Sequence, residues 1–94
     1  MSTRQRKKAG MTEKEWAKHC RERNRNRVSA AQDTLSAYKT IKDPGADPRD
    51  RIEQTDIVDL LTDLRHYAKA NGLSYDDADR SAFNHFETET HGEE

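Results

Sequence analysis

A chain of 94 residues and 10.9 kDa has room for one small domain with tails and excludes two independent cores, because a domain needs roughly 50 to 200 residues. Only 31% of the residues are hydrophobic against 37% charged, so part of the chain buries too little apolar surface to offset the entropy of ordering, and a small core with a loose end is expected. The net charge of −1 conceals a segregation: residues 1–27 carry ten Lys/Arg against three Glu, and residues 52–94 carry three against eleven carboxylates.

Met1 to Gly10 shows no apolar periodicity and is expected to be disordered. In Thr12-Glu13-Lys14-Glu15 the threonine is placed to cap the amide of Glu15 while Glu15 reaches back, the reciprocal capping box. No proline or glycine follows until Pro44, which permits one helix of about 28 residues or two shorter ones. Ala31, Leu35, Tyr38 and Ile41 share one face with Val28 beside it, a core-facing stripe. The first half offers only Trp16 and Cys20, then the run Arg21-Glu22-Arg23-Asn24-Arg25-Asn26-Arg27 without an apolar side chain. That run cannot be packed on a core.

Asp43-Pro44-Gly45-Ala46-Asp47-Pro48 ends the helix and opens a Pro/Gly linker over residues 43–51. Thr55 is the expected cap of a second helix, Asp56 to Asn71, with Asp56 and Asp59 in the first turn, where the macrodipole favours negative charge. Its apolar arc is Ile57, Leu60, Leu61, Leu64, Tyr67 and Ala68, with Leu64 near the centre and expected to be buried. Gly72 stands where a left-handed C-terminal cap is needed, and Ser74 with Asp77 signals a new helix start. The third helix, Tyr75 to Glu89, carries Tyr75, Ala78, Ala82 and Phe86 on one face and Phe83 at its margin. The expected fold is all-α: a long basic N-terminal helix, the linker, and a C-terminal antiparallel helical hairpin over residues 55–90. Residues 1–27 form a basic arm and residues 28–94 a small helical domain.

Affinity for phosphates follows Lys/Arg density, and arginine also stacks on and hydrogen-bonds to bases. Lys18, Arg21, Arg23, Arg25 and Arg27, with Lys7 and Lys8 upstream and Trp16 as a stacking surface, are therefore candidate contacts to DNA or RNA. A second DNA-reading pattern fails. Ala68-x-x-x-Gly72-Leu73-Ser74 has the spacing of a helix-turn-helix turn, but Asn71 replaces an apolar residue and Asp76, Asp77 and Asp79 would meet phosphates with like charge.

Asp79 falls within the third helix's apolar arc, where an unpaired carboxylate is costly, so a salt bridge to Arg65, Lys39 or Lys42 is expected. His66 lies beside Asp59 and Asp63 on a solvent face, a weak arrangement for a metal without supporting groups. His85 flanks a core margin, and adjacent His19 and Cys20 point in different directions on a helix. No zinc spacing, phosphate loop, nucleophile with an adjacent base or converging carboxylate pair is present. No enzyme activity, catalytic residue, metal or cofactor is expected. Cys20 is the single cysteine, so no internal disulfide is possible. No apolar run approaches the roughly 20 residues of a membrane span and none follows the basic N-terminus, so no membrane partner and a cytoplasmic location are expected.

Asp59-Leu60-Leu61-Thr62-Asp63-Leu64-Arg65-His66-Tyr67-Ala68, then Gly72-Leu73, then Ala82-x-x-His85-Phe86-x-x-Glu89 resemble a group of small proteins encoded by tailed bacteriophages and prophages. The resemblance covers residues 52–89 and leaves the basic arm outside. It implies a phage or prophage setting, hence the host cytoplasm, and a helical hairpin; it implies no activity. Two functions then compete. One is a phage-type accessory protein whose arm holds nucleic acid. The other is an inhibitor or adaptor that docks on a host or phage protein through Asp59, Asp63, His66, Asp76 and Asp77. In either case fewer than about 70 residues without a disulfide or metal supply little core, so a homo-oligomer is expected.

Overall fold

The computed structural model describes residues 10–47 and 49–93. The expected disorder of residues 1–9 and the candidate contacts Lys7 and Lys8 lie outside the described residues. Within them the chain forms three α-helices and no strand: α1 (Glu13–Lys42), α2 (Gln54–Ala70) and α3 (Tyr75–His91).

Each boundary has a local cause. At the start of α1 the Glu15 amide donates to Thr12 Oγ1 at 3.1 Å and the Thr12 amide donates to Glu15 Oε1 at 3.2 Å, so two otherwise orphaned donors are satisfied reciprocally. These bonds hold the Glu15 carboxyl below its ordinary pKa. The α1 helix then runs unbroken to Lys42. Beyond it the Asp43 side chain accepts from the Gly45 amide at 3.1 Å, an Asx turn that competes with further helix.

The second helix begins one residue before the expected cap. Glu53 occupies the N-cap and Thr55 lies inside the first turn. The residue that fixes this start is Asp56, whose Oδ2 accepts from the Glu53 amide at 2.7 Å. At its other end Gly72 adopts φ +68°. The Leu73 amide then reaches the Ala68 carbonyl at 2.9 Å and the Gly72 amide the Lys69 carbonyl at 3.5 Å, the paired bonds of a Schellman cap. Tyr75 starts α3 directly after Ser74, with Asp76 and Asp77 in the first turn.

The described chain divides into two compact units, and α1 contributes to both. One unit spans Val28–Tyr75: the second half of α1, the connection and α2. The other joins the described residues up to Arg27 with those from Asp76 onward. The two helices of the expected hairpin therefore belong to different units.

Among the described residues only Cys20 and Ala68 are buried. The stripes read from the sequence exist, but most of their side chains face solvent. In the unit built on α2, the Tyr38 hydroxyl and Lys42 Nζ both donate to Asp63 Oδ2, the latter at 3.0 Å, and Lys39 Nζ pairs with Asp56 at 3.4 Å. These polar contacts turn the Asp56, Leu60 and Asp63 side of α2 toward α1. Leu64, expected at the centre of a buried arc, consequently stays 44% exposed, and Ile57, Val58 and Leu61 share its exposure. On α1, Val28 and Ile41 are exposed too, Ile41 at 76%. Asp79 is exposed, so the burial penalty that called for a salt bridge does not arise. Lys39 and Lys42 are engaged as above, and the Arg65 guanidinium lies 4.3 Å from the Tyr75 ring centroid.

Candidate nucleic-acid interface

The described candidate contacts, Trp16, Lys18, Arg21, Arg23, Arg25 and Arg27, lie on the first half of α1, in the unit that also contains most of α3. The spacing of Cys20, Asn24 and Arg27 puts these three on one side of the helix, and that side meets the end of α3. Asn24 Nδ2 lies within hydrogen-bond reach of the Glu89 carbonyl at 2.9 Å and of Glu93 Oε2 at 2.8 Å. Arg27 pairs with the Glu89 carboxylate at 3.1 Å and donates to Asn24 Oδ1 at 2.6 Å. Arg21 donates to the Glu93 carbonyl at 3.3 Å. The last carbonyls of a helix lack intrahelical donors and carry the negative end of its dipole. Asn24 satisfies one such carbonyl, that of Glu89, while Arg21 reaches the Glu93 carbonyl just beyond the end of α3.

The run Arg21 to Arg27 is therefore not wholly solvated. Asn24 and Arg27 are half-buried, whereas Lys18, Arg21, Arg23 and Arg25 are exposed. Asn24 and Glu93 are not among the candidate residues of the sequence, and Glu89 enters there only in the motif of the resemblance. The signal for them was the shared face of Cys20 and Asn24, hidden because a polar side chain in an arginine run resembles solvated surface.

Cys20 is fully buried beneath this polar layer. Burial, and secondarily the nearby Glu93 charge, push its thiol pKa up, so the reactive thiolate is disfavoured. Trp16 is half-buried, its ring tilted 31° against His19 with centroids 5.5 Å apart.

The candidate protein-contact residues are distributed differently. Asp59 and His66 are exposed on α2, and Asp76 and Asp77 stand exposed in the first turn of α3, where Asp77 accepts from Arg80 at 3.1 Å. Asp63 is instead held by Tyr38 and Lys42. Their hydrogen bonds lower the Asp63 pKa and raise those of Tyr38 and Lys42. Among the described residues no group of three or more His, Cys, Asp or Glu is placed to hold a metal ion, and no helix is long and apolar enough to cross a membrane. No protein-family description, curated protein or solved structure matches the chain.

Proposed function

We propose that this chain is a small accessory protein that binds nucleic acid through the first half of α1. The observation that carries the reading is the exposure of Lys18, Arg21, Arg23 and Arg25 on one continuous helix. Glu22 is the only acid between Trp16 and Arg27. Such a surface draws its affinity from phosphate neutralisation and loses it steeply with salt. The resemblance of residues 52–89 supports a phage or prophage setting and hence the host cytoplasm. Retention of the full chain on immobilised DNA and RNA at low salt, with elution as salt rises, tests the reading. Passage through both resins at low salt overturns it.

A second reading, association through α2 and α3, is favoured by the exposed apolar side chains Ile57, Leu61, Leu64, Phe83 and Phe86. Soluble monomers rarely leave so much large apolar surface uncovered. The partner proposed is a second copy, because among the described residues only Cys20 and Ala68 are buried and the cover has to be present wherever the chain folds. Docking on an unrelated protein through Asp59, Asp63, His66, Asp76 and Asp77 is less supported, since Asp63 is taken up by Lys42 and Asp77 is paired with Arg80.

A further inference from the structure

The basic residues of α1 are not equivalent. Lys14, Lys18, Arg21 and Arg25 are spaced four, three and four residues apart, so they stand one above another along a single flank of the helix, and all four are exposed. At 1.5 Å per residue the row is about 16 Å long. Arg27 lies on another side of α1, committed to Glu89, and Arg23 lies on the same side as Trp16, away from the row. Arg21 belongs to both arrangements. One of its N–H groups reaches the Glu93 carbonyl, and a guanidinium has five N–H donors.

We propose that Lys14, Lys18, Arg21 and Arg25 bind the phosphodiester backbone of double-stranded nucleic acid without reading its bases. The proposal rests on the nucleic-acid reading above and specifies its surface and its substrate class. Three observations support it. First, the row is preformed on a helix capped at Thr12, so contact requires little ordering of the chain. Second, the row is straight and sets four cations within about 16 Å, a density suited to neutralising successive phosphates of a backbone. Third, single-stranded sites combine cations with aromatic platforms on which bases stack. Here the one tryptophan, Trp16, lies on the side of α1 opposite the row with its ring against His19. The two acids nearest the row do not cancel it. Glu15, held on the Thr12 amide, and Glu22 keep their charges, but the four cations outnumber them on this flank.

The test compares two triple variants of the full chain, each removing three positive charges: Lys14→Gln/Lys18→Gln/Arg25→Gln in the row, and Arg23→Gln/Arg49→Gln/Arg80→Gln away from it. Circular dichroism checks that both stay helical. Fluorescence anisotropy then follows binding to duplex DNA and to one of its single strands over a salt series. The row triple is expected to lower the slope of log K against log salt on duplex DNA by about 2.7, at roughly 0.9 per lost phosphate contact. The off-row triple is expected to change it by less than about 1. Wild-type affinity is expected to be higher for duplex than for single strand, and indifferent to duplex sequence. Equal losses from the two triples would remove the row while leaving the nucleic-acid reading intact. Tighter binding to single strands would remove the duplex assignment. Absence of binding to either form at low salt would remove the underlying reading and this proposal together.

Discussion

Gly92 lies so close to Cys20 that a Cβ built at residue 92 comes within 2.7 Å of the Cys20 Sγ and 3.4 Å of its Cβ. The absence of a side chain at Gly92 is what lets the end of α3 sit on Cys20, the one fully buried side chain among the described residues. Gly92→Ala is expected to destabilise the protein by about 1 to 3 kcal/mol, the usual cost of overpacking. In a Cys20→Ala background the same change is expected to cost less, because the sulfur it strikes is gone. Urea denaturation of the four proteins of this cycle measures the difference. An equal cost in both backgrounds would place the constraint at Gly92 elsewhere.

The Tyr38–Asp63–Lys42 cluster makes a prediction in pH. The folded pKa of Asp63 is lowered by hydrogen bonds from Tyr38 and Lys42. Its contribution to stability is therefore present above the unfolded carboxylate pKa, near 3.9, and is lost as pH falls through the lower folded value. Tyr38 is raised, chiefly by its hydrogen bond to Asp63, so its contribution is complete below the ordinary tyrosine range and is lost as pH rises through the folded value. Asp63→Asn is expected to flatten the acid limb of a Tm-against-pH curve. The substitution also moves the Tyr38 titration, followed by tyrosinate absorbance, back toward its ordinary position. An unchanged tyrosine titration would show that Asp63 does not hold the hydroxyl in solution.

Gly72 tests backbone conformation alone. Its φ is +68° and nothing lies within 4 Å of an added Cβ, so substitution there meets strain without a clash. Gly72→Ala is expected to cost roughly 1 to 2 kcal/mol. Gly72→Asn is expected to cost less, because asparagine tolerates the left-handed region better. Thermal melts of both variants decide it, and equal costs would show that tolerance of the left-handed region does not set the cost.

Leu64 separates the single chain from its assembly. Fully buried leucines cost roughly 2 to 5 kcal/mol on truncation to alanine, but in one chain Leu64 is 44% exposed. Leu64→Ala is therefore expected to cost less than that range at low concentration, while weakening self-association at high concentration. Sedimentation and melts at two concentrations read the two effects. A wild-type Tm independent of concentration, with a monomeric sedimentation profile, would remove the second copy from the account.

The sequence by itself determined the helical class, the Thr12–Glu15 cap, the stop after Lys42 and the left-handed turn at Gly72. Each of these is set by side chains within a few residues of one another, through hydrogen bonds or allowed backbone angles. It also placed the cations of α1, since charge is read directly from composition. Which helix face meets which neighbour was decided only by the tertiary structure. Periodicity put Leu64 at the centre of an arc, yet Lys39, Tyr38 and Lys42 draw the Asp56 and Asp63 side of α2 toward α1. Likewise the arginine run looked wholly solvated until Asn24 and Arg27 met Glu89 and Glu93, residues more than sixty positions away. Local hydrogen bonding leaves its mark in neighbouring letters. Contacts between distant segments depend on which of several faces, each tolerable alone, satisfies charges and helix ends brought together by the fold.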